Sequence, residues 1–161
     1  MAEIIDGKGI ARAIRAEVKE GIAALAGPVP VLAVVAAGDD EASAAYLRSQ
    51  SRTAERLGIE YRLETLAASA TTVDLALRVE SLAARTEVAG IMLQVPLPAG
   101  VDAARVREAI PVAKDVEAVT ERAAGRLVQK THTVAPCTAA AAMRCVEVYG
   151  SVPVALADQS G

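Results

Sequence analysis

The sequence has very few aromatic residues: its 161 residues include no Trp, no Phe and only three Tyr. Its core must therefore be aliphatic, and hydrophobic types make up 53% of the chain. The shortage of rings argues against a surface that stacks nucleic-acid bases. The sequence also lacks a basic block, because 17 basic and 20 acidic residues are interspersed to a net charge of −3. Neither nucleic acid nor an anionic membrane is therefore expected as a partner.

Cysteine, histidine and long apolar runs are also scarce. Cys137 and Cys145 are separated by roughly 12 Å along a predicted helix, which is too far for a disulfide, and reduced thiols favour a cytoplasmic protein. A single His and the absence of a Cys-x-x-Cys pair give no basis for a metal site. The first residues are charged and no apolar run reaches the about 20 residues of a membrane span, so neither a signal peptide nor a membrane segment is predicted.

Hydrophobic periodicity predicts one domain in which helices and strands alternate. The predicted strands cover residues 31–37, 59–66 and 88–95, and another lies in the terminal "VPVALADQSG". The predicted helices cover residues 9–26, 41–57, 73–84, 102–110 and 138–149, whereas residues 111–135 show weak periodicity. This alternation favours an α/β domain of three layers, with a mostly parallel sheet between helices.

Ligands of such sheets bind beyond the carboxyl ends of the strands. Near one of these ends, Tyr46 and Gln50 lie four residues apart on a helix and share a face with Ser43. The tyrosine offers a flat ring and a hydroxyl, whereas the glutamine offers donors and an acceptor but no useful proton transfer. The alternative interpretation is a solvated polar face with one partly buried tyrosine.

Two further segments carry polar groups. In "QVPLP", Gln94 ends a strand before the rigid Pro96 and Pro98, and its amide can recognise a planar heterocycle; the alternative is a surface residue that terminates the strand. In "KDVE", Asp115 and Glu117 share a face if the segment is extended, and a carboxylate there can bind an amino-pyrimidine edge or accept a proton. The alternative for this segment is an exposed loop.

The "PCT" segment is predicted to open a helix, with Thr138 as its cap. Free N–H groups at such a helix start favour an anion or a ligand carbonyl. Capping alone explains the threonine, so this motif indicates a ligand only weakly.

In order and spacing, these motifs resemble the methylenetetrahydrofolate dehydrogenase/methenyltetrahydrofolate cyclohydrolase family. The resemblance runs through "IIDGKGIARAIR", "ASAAYLRSQSRTAERLGIEY", "VAGIMLQVPLPAGVD", "IPVAKDVEAV" and "PCT". It implies that residues 1–161 are a domain that binds tetrahydrofolate, specifically 5,10-methylenetetrahydrofolate. It also implies catalytic roles for Tyr46, Gln50, Gln94 and Glu117, and a cleft lined by further residues: Ser43, Pro96, Leu97, Pro98, Asp115 and Thr138.

The departures from the family pattern suggest altered chemistry. The family has a catalytic lysine where this chain has Gln50, and an aspartate and a glycine where it has Glu117 and Ala118. Residues 151–161 resemble the start of the family's Rossmann-type nucleotide-binding domain, which is expected to be missing, so NADP is not expected.

Three interpretations follow. The first is a non-oxidative transfer or cyclisation that moves the folate's one-carbon unit to a small amine or carbon nucleophile. The second is folate binding without catalysis, and the third is a fragment of a bifunctional dehydrogenase/cyclohydrolase. A homodimer is expected in each case.

Overall fold

The computed structural model describes residues 4–38 and 41–150. Its strands are β1 (Val31–Ala37), β2 (Glu60–Leu66) and β3 (Val88–Leu93). The helices are α1 (Gly7–Ala23), α2 (Glu41–Leu57), α3 (Thr72–Ala83), α4 (Ala103–Glu108), α5 (Glu121–Val128) and α6 (Cys137–Tyr149). A short 3-10 helix covers Val112–Lys114.

The three strands form a parallel sheet in the order β2-β1-β3. β1 lies in the centre because its β-branched, continuous apolar sequence suits a strand buried on both faces. Helices cover both faces, as the sequence predicted. On one face, Leu47 of α2 packs on Val34 and Ala36; on the other, α3 and α4 contribute a larger apolar cluster: Leu75, Val79, Leu82 and Val106.

Most predicted boundaries agree with the structure to within three residues. The first helix starts at Gly7 instead of residue 9, because the side chain of Asp6 accepts a hydrogen bond from the N–H of Gly9 and caps the helix. The irregular segment predicted over 111–135 is wrong in part, since it contains α5, capped by Thr120. The predicted terminal strand lies outside the described residues.

The "KDVE" segment lies beside β3, where Asp115 pairs with Ile91 in a parallel bridge. Gly90 permits this approach: a Cβ at that position would lie 2.5 Å from Cγ1 of Val116. Lys114 anchors the start of the segment, because its ammonium donates to the carbonyls of Ala83, the last residue of α3, and of Arg85 just after it. The segment is therefore an ordered part of the sheet's edge.

Among the described residues, no helix combines the length and apolar character that crossing a membrane requires.

Candidate functional site

A cavity of about 490 Å³ opens at the carboxyl ends of the strands, between α2 and the sheet. Its walls include the end of β1, the side chains of Tyr61, Leu63 and Thr65 on β2, and Leu47 on α2. Three of the predicted site residues contribute to its lining: Ser43, Gln94 and Pro96. The site therefore lies where parallel α/β sheets generally bind ligands.

Gln50 contacts a residue that the sequence analysis did not select. Its side-chain oxygen accepts a hydrogen bond of 3.1 Å from the hydroxyl of Tyr61, and both side chains are half-buried. Burial, followed by the nearby Tyr46, raises the pKa of Tyr61 to about 12. Tyr46 itself is 57% exposed. Tyr61 lines the cavity, whereas Tyr46 and Gln50 lie next to Tyr61 and outside that lining.

Gln94 is fixed at the end of β3 by two hydrogen bonds. Its backbone N–H donates to the carbonyl of Val35 at 2.8 Å, and its side-chain Nε2 donates to the carbonyl of Val95 at 2.7 Å. The peptide bond between Val95 and Pro96 is cis. Beyond it, Pro98 is half-buried and Leu97 packs against the main apolar cluster. The contribution of Leu97 and Pro98 to ligand binding stays a prediction.

Asp115 is buried, with 3% of its surface exposed, so the interpretation of this segment as an exposed loop is wrong at this residue. Its carboxylate accepts hydrogen bonds from the backbone N–H groups of Glu117, Val119 and Thr120 at 3.3, 3.2 and 2.9 Å. These bonds occupy the carboxylate within its own loop. In this structure Asp115 shapes the loop that presents Glu117, and direct contact between Asp115 and a ligand stays a prediction.

Glu117 is half-buried beside that loop. Burial is the main reason why its pKa lies above the ordinary value; the charge of Asp115 also raises the pKa, whereas Arg107 lowers it. The chain turns at Val116 and Glu117, directly after the bridge between Ile91 and Asp115, so Glu117 lies in a turn next to β3.

The start of α6 approaches the same loop. The thiol of Cys137 donates a long hydrogen bond of 3.6 Å to the carbonyl of Val116, and burial followed by the charge of Glu117 raises the pKa of this thiol. Pro136 is the N-cap residue of α6 and makes no side-chain capping bond. The prediction that Thr138 caps this helix is wrong, because Thr138 is an exposed residue within the first turn.

The residue after Glu117 adopts an unusual backbone conformation. Ala118 has a φ of 53° and only 7% of its surface exposed. This left-handed region favours glycine, since it brings a Cβ close to the backbone. The glycine that the family resemblance places here therefore has a physical reason, and the alanine retains the same turn at a cost.

The described residues contain no group of three or more His, Cys, Asp and Glu side chains arranged to hold a metal ion.

Comparison with known proteins gives a consistent result. Residues 5–117 match the model of the tetrahydrofolate dehydrogenase/cyclohydrolase catalytic domain. The bifunctional protein FolD of Oleidesulfovibrio alaskensis is 39% identical over 153 residues, which cover 93% of this chain and 54% of that protein. The FolD protein of Sorangium cellulosum is 41% identical, with 92% and 53% coverage.

A solved structure gives the same picture. The FolD methylenetetrahydrofolate dehydrogenase/cyclohydrolase of Campylobacter jejuni superposes on this chain with a TM-score of 0.88 at 29% identity. The superposition covers 91% of this chain and 53% of the Campylobacter jejuni chain. This chain therefore spans about half the length of the relatives that it matches.

Proposed function

The chain belongs to the tetrahydrofolate dehydrogenase/cyclohydrolase family, and from that premise we propose that its cavity binds a reduced folate, 5,10-methylenetetrahydrofolate. The observation that carries the proposal is the position of Ser43, Gln94 and Pro96, which line one cavity at the carboxyl edge of the sheet. Residues of two of the motifs that resemble the family thus line one cavity, at the place where such a sheet binds ligands.

The chemistry of the site fits a pterin. A volume of about 490 Å³ falls within the range of about 300–1,000 Å³ that is typical of small-molecule sites. Tyr46 exposes a flat ring on which a heterocycle can stack. Gln94 in the lining and Gln50 behind Tyr61 would supply amides for the polar edge of the heterocycle. Glu117, outside the lining, would supply a carboxyl group that can pair with two N–H donors of a ligand larger than the cavity.

The reaction that these residues support is limited by Gln50. A lysine at this position can cycle between its charged and neutral forms, whereas a glutamine has no proton to exchange in this pH range. General acid–base assistance is typically worth ~10²–10⁴-fold in rate. We therefore assign to this chain the folate-binding half of a dehydrogenase/cyclohydrolase, with strongly reduced hydrolysis of methenyltetrahydrofolate. This assignment includes no NADP site within the described residues.

One observation favours a second activity, the non-oxidative transfer of the one-carbon unit to a small amine or carbon nucleophile. Glu117 is half-buried, and its raised pKa brings the carboxyl group nearer to the range in which it can take and return a proton. A nucleophile must lose a proton when it attacks, and the half-buried carboxyl group of Glu117 would accept it.

Calorimetric titration with 5,10-methylenetetrahydrofolate tests the binding proposal. We expect saturable heat with a one-to-one stoichiometry and a rise in melting temperature at saturation. The control is Tyr46→Leu, which removes the exposed ring and should weaken binding. If neither heat nor thermal stabilisation is seen, the folate proposal is wrong.

Incubation of the complex with candidate amines separates the two activities. A one-carbon adduct that forms faster than in buffer, and more slowly with Glu117→Gln, supports transfer. The absence of any adduct above the uncatalysed rate leaves folate binding as the function of this chain and rejects the transfer activity.

The predicted homodimer stays a prediction. Apolar side chains that are 37–42% exposed on α1 and α6 would suit such a contact: Ile14, Val18, Met143 and Val146. The mass in solution, measured by light scattering, decides between monomer and dimer.

A further inference from the structure

We propose that Tyr61 is a positioning residue, which fixes the Gln50 carboxamide so that its N–H donors, and not its oxygen, face a bound folate. This inference rests on the proposed function and specifies the polarity that the site presents to its ligand. It concerns a contact between α2 and β2 that depends on the glutamine at position 50.

The first step is the hydrogen bond itself. A carboxamide has one acceptor atom and one donor atom, which point in different directions from the same carbon. Tyr61 donates to Oε1 of Gln50 at 3.1 Å, so the acceptor side of the amide is directed towards β2. The Nε2 group, with its two N–H donors, is consequently turned away from Tyr61.

The direction of this bond has a chemical basis. The lone pairs of a phenol oxygen are partly delocalised into the ring, so a phenol donates a hydrogen bond more readily than it accepts one. The raised pKa of Tyr61 keeps its proton in place throughout the physiological range. The hydroxyl is therefore a permanent donor, and the amide oxygen is its natural partner.

The second step is rigidity, since an anchor orients another group only if it is itself fixed. The ring of Tyr61 packs against the cluster of Val34, Ala36 and Leu47, and its backbone pairs with Leu32 in the sheet. On the other side of the contact, Leu47 and Ala54 are buried one turn before and one turn after Gln50. Both ends of the hydrogen bond are thus held by buried packing.

The consequence for the ligand follows from the polarity of the free group. An amide that presents N–H donors binds an acceptor, such as the carbonyl oxygen or a lone-pair nitrogen of a reduced pterin. It disfavours a donor group at the same point. Gln50 would then keep the donor character that a lysine has at this position, without its charge and without a proton to transfer.

Isosteric substitution distinguishes the two orientations of the amide. In Gln50→Glu the carboxylate can still accept from Tyr61, but it has no donor to offer the ligand. We expect the affinity for 5,10-methylenetetrahydrofolate, measured by calorimetry, to fall by about tenfold or more. If Gln50→Glu binds as tightly as the original chain or more tightly, the donor orientation is refuted.

A double-mutant cycle tests whether Tyr61 acts through Gln50. Tyr61→Phe should weaken binding about threefold to tenfold, because the amide is then free to rotate. In a Gln50→Leu background the same change should have no further effect. An equal loss in both backgrounds would show that Tyr61 acts independently of Gln50, and would overturn the proposal.

Tyr149→Phe is the matched control, because the Tyr149 hydroxyl accepts a hydrogen bond from the backbone N–H of Asp6, outside the cavity lining. We expect its affinity to stay within about twofold of the original chain. Melting temperatures of all variants, measured without ligand, show whether each one is folded.

A measurement without folate separates the proposed orientation of the Gln50 amide from the proposed binding of folate. In the ¹³C spectrum, the side-chain carbonyl signal of Gln50 should shift in Tyr61→Phe and not in Tyr149→Phe, since only Tyr61 donates to it. A signal that stays unchanged in Tyr61→Phe refutes the orientation. A shift combined with no folate binding by the original chain refutes the proposed function and leaves the orientation of Gln50 established.

Discussion

Replacing Gln50 by lysine should increase the hydrolysis of methenyltetrahydrofolate by this chain by ~10²–10⁴-fold, the usual range for general acid–base assistance. The lysine amine would extend about 1.5 Å, one bond, beyond the terminal atoms of the present amide. The hydroxyl of Tyr61, now 3.1 Å from Oε1 of Gln50, would lie close enough to accept a hydrogen bond from the amine or its ammonium. The new side chain should therefore follow the existing path out of α2.

The surroundings of position 50 should also lower the pKa of a lysine placed there. The position is half-buried, and its described hydrogen-bond partner is the neutral hydroxyl of Tyr61. Desolvation without a paired carboxylate lowers the pKa of a lysine below its ordinary value of about 10.4, which increases the neutral fraction near pH 7. An amine in this state can donate and accept protons during hydrolysis.

The assay follows the loss of the methenyltetrahydrofolate chromophore under saturating conditions, against buffer and against the original chain. Gln50→Met is the matched control, because methionine has a similar length and no ionisable group. Both variants must be folded and bind folate for the comparison. If Gln50→Lys then hydrolyses methenyltetrahydrofolate no faster than Gln50→Met, the absence of a lysine at position 50 does not explain slow hydrolysis, and the reasoning is wrong.

The other predictions concern the loop beside β3 and the end of α5. Asp115→Asn should lower the free energy of unfolding by about 1–3 kcal/mol in urea titrations, because an amide cannot replace a buried carboxylate that accepts three backbone N–H bonds. Glu117→Gln should stabilise the chain at pH 7, because the folded state raises the pKa of Glu117 and so favours its protonated form. The stability contributed by Glu117 is lost as the pH rises through that raised pKa. Below about pH 4 the carboxyl group is protonated in both states, so the stabilisation gained by the substitution should shrink. Lys130→Gly should raise the free energy of unfolding, measured by thermal unfolding, by about 0.5–1 kcal/mol. Lys130 is exposed and has a φ of 56°, where glycine relieves more backbone strain than it costs in unfolded-state entropy. Unchanged stability in any of these variants would contradict the corresponding contact or strain.

The sequence predicted most of the architecture, because the hydrophobic pattern is strong where the elements are long. The apolar run 31–37 matches β1 at both ends, and the capping sequence before α3 places that helix to within one residue. The family membership inferred from the motifs is confirmed by the match over residues 5–117. These features are encoded locally, in runs and spacings that a single sequence displays.

The α5 helix was missed because its local signal is weak. It has eight residues, contains Gly125 and buries only Ala123. In a segment of about two turns, too few apolar positions repeat for periodicity alone to identify a helix. Its one clear signal is Thr120 followed by Glu121, a cap and an acidic first turn, which could have marked the start of the helix.

The partners of the site residues were harder to predict than the residues themselves. The pairing of Tyr61 with Gln50 joins two elements, and the sequence showed only that Tyr61 alternates with its neighbours along a strand. The three hydrogen bonds that the Asp115 carboxylate accepts from backbone N–H groups depend on how the following loop folds. Both are consequences of tertiary structure.

The terminal group of the side chain at position 50 decides which chemistry this position can perform. Gln50 lies on the face of α2 that meets Tyr61, between two buried residues of the helix. Because the scaffold holds the path of the side chain, the identity of its terminal group decides between proton transfer and hydrogen bonding alone. The proposed folate site can therefore bind its ligand without hydrolysing it, and that combination is what the Gln50→Lys and Gln50→Met pair measures.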